Sequence, residues 1–231
     1  IIAVIKPKQE QITEDILEEK EEQSDEYLTF IADNLVGGGP PKDGIPAIDE
    51  PIYLTASETP LNDDEVVFGI DYKGLVIAYP QKILYWHEIA NEEAEGEKIS
   101  VTYCPLTGTV IGYKGMNLGV SGKLYNSNLV MFDRATDTYI PQILGIGVTG
   151  PGTGVALPTF PVVVTTWGQW KALHPDTQVL SEDTGYNRNY NKNPYPGYED
   201  SLRVWFPVAA ESDRSEEHTS ELQSPDHLVC R

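Results

Sequence analysis

Basic residues are scarce in this chain. Lys plus Arg number 16 against 36 Asp plus Glu in 231 residues, for a formal net charge of -20. Phosphate recognition needs clustered Lys and Arg, so the balance argues against a nucleic-acid partner and against an anionic membrane surface. Long apolar runs are missing too; none approaches the roughly 18–20 residues that carry a helix across a bilayer. Cysteine is almost absent: Cys104 and Cys230 are the two in the chain. No disulfide framework is expected from so few. No Asn-x-Ser/Thr sequon occurs, so standard asparagine-linked glycosylation is not expected. A glycine-rich stretch, Gly145 to Gly154, is followed by β-prone Val155-Ala156-Leu157 and not by a helix. That order rejects a nucleotide phosphate loop, in which a helix start must face the phosphate.

The ends carry their own signals. The chain opens on Ile1-Ile2-Ala3-Val4-Ile5 with no initiator Met, and reads as processed or truncated. Residues 214–231 read as the in-frame translation of a sequencing adapter, the mark of metagenomic reads, and not as evolved protein. That tail holds two Arg against four acids, which leaves -18 on the remainder. It also contains Cys230, His218 and His227, so Cys104, His87 and His174 remain.

What is present is β-prone and well punctuated, with 20 Gly, 17 Pro and 40% hydrophobic residues. Residues 1–9 read as a short strand arm. Residues 10–41 read as an acidic helical segment ending in the linker Gly37-Gly38-Gly39-Pro40-Pro41. Ten acids lie between Glu10 and Asp33 against Lys20 alone, so the acidity is concentrated there. Residues 42–213 form the main domain. Strands are expected over Glu65–Ile70, Leu75–Tyr79, Ile99–Tyr103, Val110–Tyr113, Val130–Phe132, Val162–Thr166 and Leu202–Phe206, with a hairpin turn at Asp71-Tyr72-Lys73-Gly74. Helices are expected over Pro80–Ala90 and Thr166–Leu173, the latter capped by Thr166. The fold class is mainly β: a compact β-sandwich or irregular barrel with a few short helices, preceded by the strand and acidic helix.

Four constellations bear on chemistry. Cys104 as nucleophile with His87 as base and Asp133 to orient it would make a thiol enzyme, with Asn126, Ser127 and Asn128 as oxyanion donors. The plainer account makes Cys104 a small core residue and His87 a partner of buried backbone. Asn62-Asp63-Asp64-Glu65 and Asp133 to Asp137 offer oxygens for Ca2+, without EF-hand spacing, and read better as acidic turns; no cofactor is expected. Tyr190, Tyr195 and Tyr198 could present flat rings to a glycan or a protein. Ile1, Ile2, Val4 and Ile5 make an apolar strand that cannot stabilise itself and can add to a neighbour's sheet edge. Head-to-tail addition without closure makes a fibre.

Several segments together resemble the DUF3179 family, a domain of unknown function. They include Asp43-Gly44-Ile45-Pro46-Ala47-Ile48, Trp86-His87-Glu88-Ile89-Ala90-Asn91, Val101-Thr102-Tyr103-Cys104-Pro105-Leu106-Thr107-Gly108-Thr109 and Met131-Phe132-Asp133-Arg134. The resemblance implies an extracytoplasmic setting and no established activity. Members often show Cys-Pro-Leu-Cys-Gly, whereas Thr107 stands at the second Cys here, so a two-thiol metal or redox site is not available. The reading is a secreted structural subunit, extracellular or on the cell surface, that self-assembles into a fibre by donating its N-terminal strand. The alternatives are an extracytoplasmic enzyme centred on Cys104 and His87, and a glycan-binding module.

Overall fold

The computed structural model describes residues 25–198, 200 and 205–209. Its short strands assemble into three sheets. The first runs β1 (Val36–Gly37), β8 (Leu118–Tyr125), β9 (Asn128–Asp133), β10 (Tyr139–Pro141). The second runs β11 (Thr159–Phe160), β7 (Thr109–Lys114), β6 (Glu97–Cys104), β5 (Ile89–Ala94). The third runs β12 (Val163–Thr166), β3 (Val66–Tyr72), β4 (Leu75–Pro80), β13 (Gln178–Leu180), β2 (Tyr53–Thr55). The architecture is mainly β and sandwich-like, with no closed barrel among the described residues.

Strand β6 explains the layering. Successive side chains of a strand point to opposite faces. Ile99, Val101 and Tyr103 pack with Phe68, Ile70, Ile77 and Tyr79 of the third sheet. Cys104, on the alternate face, packs with Leu118, Val120, Leu129 and Met131 of the first. The second sheet is therefore the middle layer, which is why β6 is buried from Ile99 to Cys104 without interruption. The outer faces are covered by helices. Leu28 and Ile31 of the helix over residues 25–33 (α1) sit on Val130 of the first sheet. Trp167 and Trp170 of α3 (Trp167–Leu173) sit on Val67 and Ala78 of the third.

The expected turn at Lys73-Gly74 joins β3 to β4 with Tyr72 opposite Leu75. Both turn residues have positive φ, 46° and 78°, the two-residue type I′ geometry that suits the right-handed twist of a hairpin. Helix α2 is shorter than the expected Pro80–Ala90. It spans Gln81–His87, because Ile89 onward pairs with β6 as β5. Thr166 does precede α3, but its side chain makes no cap bond. The first amides of α3 are satisfied by backbone instead, Trp167 N–H by Glu65 O at 2.8 Å and Gly168 N–H by Asp63 O at 2.9 Å. The glycine–proline stretch is tied to the first sheet: Gly37 pairs with Lys123, and Gly38 N–H donates to Gly122 O at 2.8 Å. The arm residues Ile1, Ile2, Val4 and Ile5, residues 10–24 of the acidic segment, and residues 214–231 lie outside the described residues, as do residues 202–204 of the strand expected at Leu202–Phe206.

Candidate functional site

Helix α2 crosses from the third sheet to the second and ends at Glu88. Its last turn is closed by Glu88 N–H bonding Leu84 O at 2.9 Å, with Glu88 at φ 59°, ψ -26°. This left-handed position is the one glycine usually fills, since a Cβ costs about 1–2 kcal/mol there. Glu88 is held in it from both sides, because its carbonyl also accepts Tyr103 N–H of β6 at 2.6 Å. The chain turn places the Glu88 side chain, 6% exposed, in the wall of a cavity of about 380 Å³. Tyr85, Trp86, Leu106, Leu129, Tyr195 and Phe206 are among its apolar lining residues, and Lys123 and Arg188 also line it.

Burial pushes the Glu88 carboxyl up to about 7, and the Tyr195 hydroxyl, donating at 2.9 Å, pulls back only part of this. Tyr195 is itself driven well above the usual phenol range by burial and by Glu88, so it stays a donor. The Cys104 thiol lies close enough for the charge on Glu88 to act on it. Burial first, and Glu88 second, push its pKa up. Leu129 N–H donates to its sulfur at 3.3 Å, and its own proton faces Ser127 O at 3.8 Å. Cys104 is 1% exposed. A nucleophilic thiolate needs a lowered pKa and access; this thiol has neither.

His87 is buried and fully engaged. A carbonyl only accepts, so Nδ1–H donates to Pro46 O at 2.7 Å. Nε2 then accepts from the Tyr190 hydroxyl at 2.7 Å, and Thr184 Oγ1 lies 2.5 Å from the Tyr190 oxygen. Burial pushes the imidazole below its ordinary value, with Arg188 adding to the effect. Asp133 closes its own turn, accepting from Ala135 N–H, Thr136 N–H and Thr136 Oγ1. No hydrogen bond joins Cys104, His87 and Asp133 among the described residues; each is committed elsewhere.

The remaining sequence candidates find structural places. Asn126 and Ser127, at φ 50° and 60°, form the two-residue turn between β8 and β9. Asn128 and Thr107 join a buried network with Thr109, Thr102 and Gln142, whose amide takes up Thr109 Oγ1 at 2.6 Å and Asn128 Nδ2 at 2.9 Å and donates to Thr102 Oγ1 at 3.0 Å. Tyr190 is buried at 5%. Tyr195 turns its hydroxyl inward to Glu88, and Tyr198 meets Trp205 edge-on at 4.8 Å. Asp63 pairs with Lys171, Glu65 with Lys82, and Asp137 with Lys42. No group of three or more metal-ligating His, Cys, Asp or Glu occurs among the described residues. The sequence reading passed over Glu88 and Arg188. The one local sign was an acid immediately after a helix whose end lacked glycine.

Neither the curated proteins nor the solved structures contain a match to this chain. A model described as "Protein of unknown function (DUF3179)" matches residues 42–222, most of the chain and including the first residues of the segment read as adapter-derived. The chain belongs to the DUF3179 family.

Proposed function

We propose that this chain is an extracytoplasmic protein whose domain binds a small molecule and exchanges a proton with it through Glu88. The location is carried over from the family resemblance. The observation that carries the chemistry is a nearly buried carboxyl in the wall of an apolar cavity, with its pKa at about 7. A group poised near the working pH is the efficient general acid or base, and apolar cavities with a few convergent polar groups are where such groups act. Below about pH 7 Glu88 offers a proton; above it, a carboxylate that Tyr195 keeps oriented by donating to it. Holding Glu88 in a left-handed backbone position costs stability, which a fold retains where geometry matters.

The test is amide and indole NMR with a fragment library at pH 6 and pH 8. Bound fragments should shift Trp86 and Tyr195, with affinity changing through pH 7, and Glu88→Gln should flatten that change. Fragments that bind elsewhere, or a pH response unaltered in the variant, refute the proposal.

A second reading, self-assembly, is favoured by one observation. Strand β12 lies at the end of the third sheet, with Val163 and Val164 at 50% and 57% exposure. Such an edge is a template for an added strand, and Ile1, Ile2, Val4 and Ile5 have the composition to supply one. Deleting residues 1–5 should leave folded monomers by light scattering. Filaments that persist would rule this reading out.

A further inference from the structure

We propose that the cavity beside Glu88 takes a small aromatic monocarboxylate, its ring against Trp86 and its carboxylate against Arg188 and Lys123. The inference deepens the reading of Glu88 as the working acid and rests on it.

The cations of the described fold carry the argument. Lys42, Lys73, Lys82, Arg134 and Lys171 are each bonded to an Asp or Glu. Lys98, Lys114, Lys123, Arg188 and Lys192 make no ion pair among the described residues, and of these five Lys123 and Arg188 line this one cavity. A chain of net charge -20 repels an anion at long range. Acid-free cations are therefore what a site for an anion requires here. The Arg188 guanidinium sits 5.5 Å above the Trp86 ring. A guanidinium held over a ring in this way still has N–H groups with which to grip a carboxylate in two places.

Lys123 owes its position to an irregularity. The β8–β9 register shifts between Val120 and Lys123, at Gly122 with φ 74°. A Cβ at Gly122 would lie 2.2 Å from Pro40 O. The bulge thus needs glycine, and bulges redirect the side chains beside them.

The rest of the wall fits the ring. Tyr85, Trp86, Tyr195 and Phe206 give flat apolar surface, and the volume of about 380 Å³ lies in the roughly 300–1,000 Å³ range of ligand cavities. Among the described lining residues, Glu88 is the one acid. In its protonated form it does not oppose the anion and can donate to a polar group on the ligand. A single carboxylate suits this arrangement better than a dianionic phosphate, whose desolvation costs more.

The experiment is isothermal titration of the full chain with cinnamate, its neutral amide and benzyl phosphate at pH 6. Cinnamate should bind at least about tenfold tighter than the amide, and tighter than benzyl phosphate. Arg188→Gln and Lys123→Gln together should abolish the preference for the acid over the amide. Equal binding of acid and amide, binding of neither, tighter benzyl phosphate, or a preference intact in the double variant each overturn the proposal. Glu88→Gln separates the two readings. If cinnamate is preferred but its pH response survives in that variant, the acid–base role falls and the anion site stands. If the pH response moves while acid and amide bind alike, the anion site falls alone.

Discussion

Replacing Glu88 with glutamine keeps the shape of the side chain and removes its titration. The carboxyl moves from an ordinary 4.5 to about 7 in the folded chain, through burial. Between those values the folded state holds more protons than the unfolded state. The stability of the native protein is therefore full below about pH 4.5, falls as pH rises, and levels off above about pH 7. At about 1.4 kcal/mol per factor of ten in the protonation equilibrium, ionisation of Glu88 costs the folded state about 3 kcal/mol. The glutamine variant escapes that cost and still accepts the Tyr195 bond through its amide oxygen. Chemical denaturation of both proteins at pH 5 and pH 8.5 should show the variant gaining about 2–3 kcal/mol on the native chain across the interval, because part of the change lies below pH 5. Glu92, which burial pushes up to about 8, titrates in both proteins and drops out of the difference if the two sites act independently. A difference that is the same at both pH values would refute the buried-acid reasoning.

Other outcomes follow from the same geometry. Asn91 is 3% exposed and links three strands: it accepts from Ser100 Oγ at 2.6 Å and Leu118 N–H at 3.0 Å, and donates to Leu118 O at 2.9 Å. Asn91→Ala should lower stability by about 3 kcal/mol in urea, the cost of stranding buried donors and acceptors. In a Cys230→Ser background, Cys104 should react with an aromatic disulfide reagent at pH 8 at least about 100-fold more slowly in the native protein than in urea, since access requires opening of the fold; equal rates would place the thiol at the surface.

The sequence by itself determined the strand-rich class, the family, and the local turns. Lys73-Gly74 was legible as a turn because a left-handed pair matches the twist of a hairpin, and Gly74 takes that conformation at no steric cost. Leu75–Tyr79 and Ile99–Tyr103 were legible as strands from β-branched and aromatic runs, and the Trp167 to Leu173 helix from the compact pattern after Thr166. Ile89-Ala90-Asn91-Glu92-Glu93-Ala94 was not legible as a strand, because its Ala and Glu carry helical propensity and only pairing with β6 and burial between two sheets override it. The same stacking decided the fate of the polar alternation in Ser100, Thr102 and Cys104. Taken alone it marks a solvated face, yet a middle sheet has no solvated face, so these groups bond Asn91, Gln142 and backbone in the core. Only the tertiary structure brought Glu88, Tyr195, Arg188 and Lys123 to one cavity. They come from a helix end, a Tyr-rich loop and a bulge far apart in the chain. Their shared property, a carboxyl held near neutrality in the wall of a cavity that two cations without an acid partner also line, depends on burial and distance, which residue order does not encode locally.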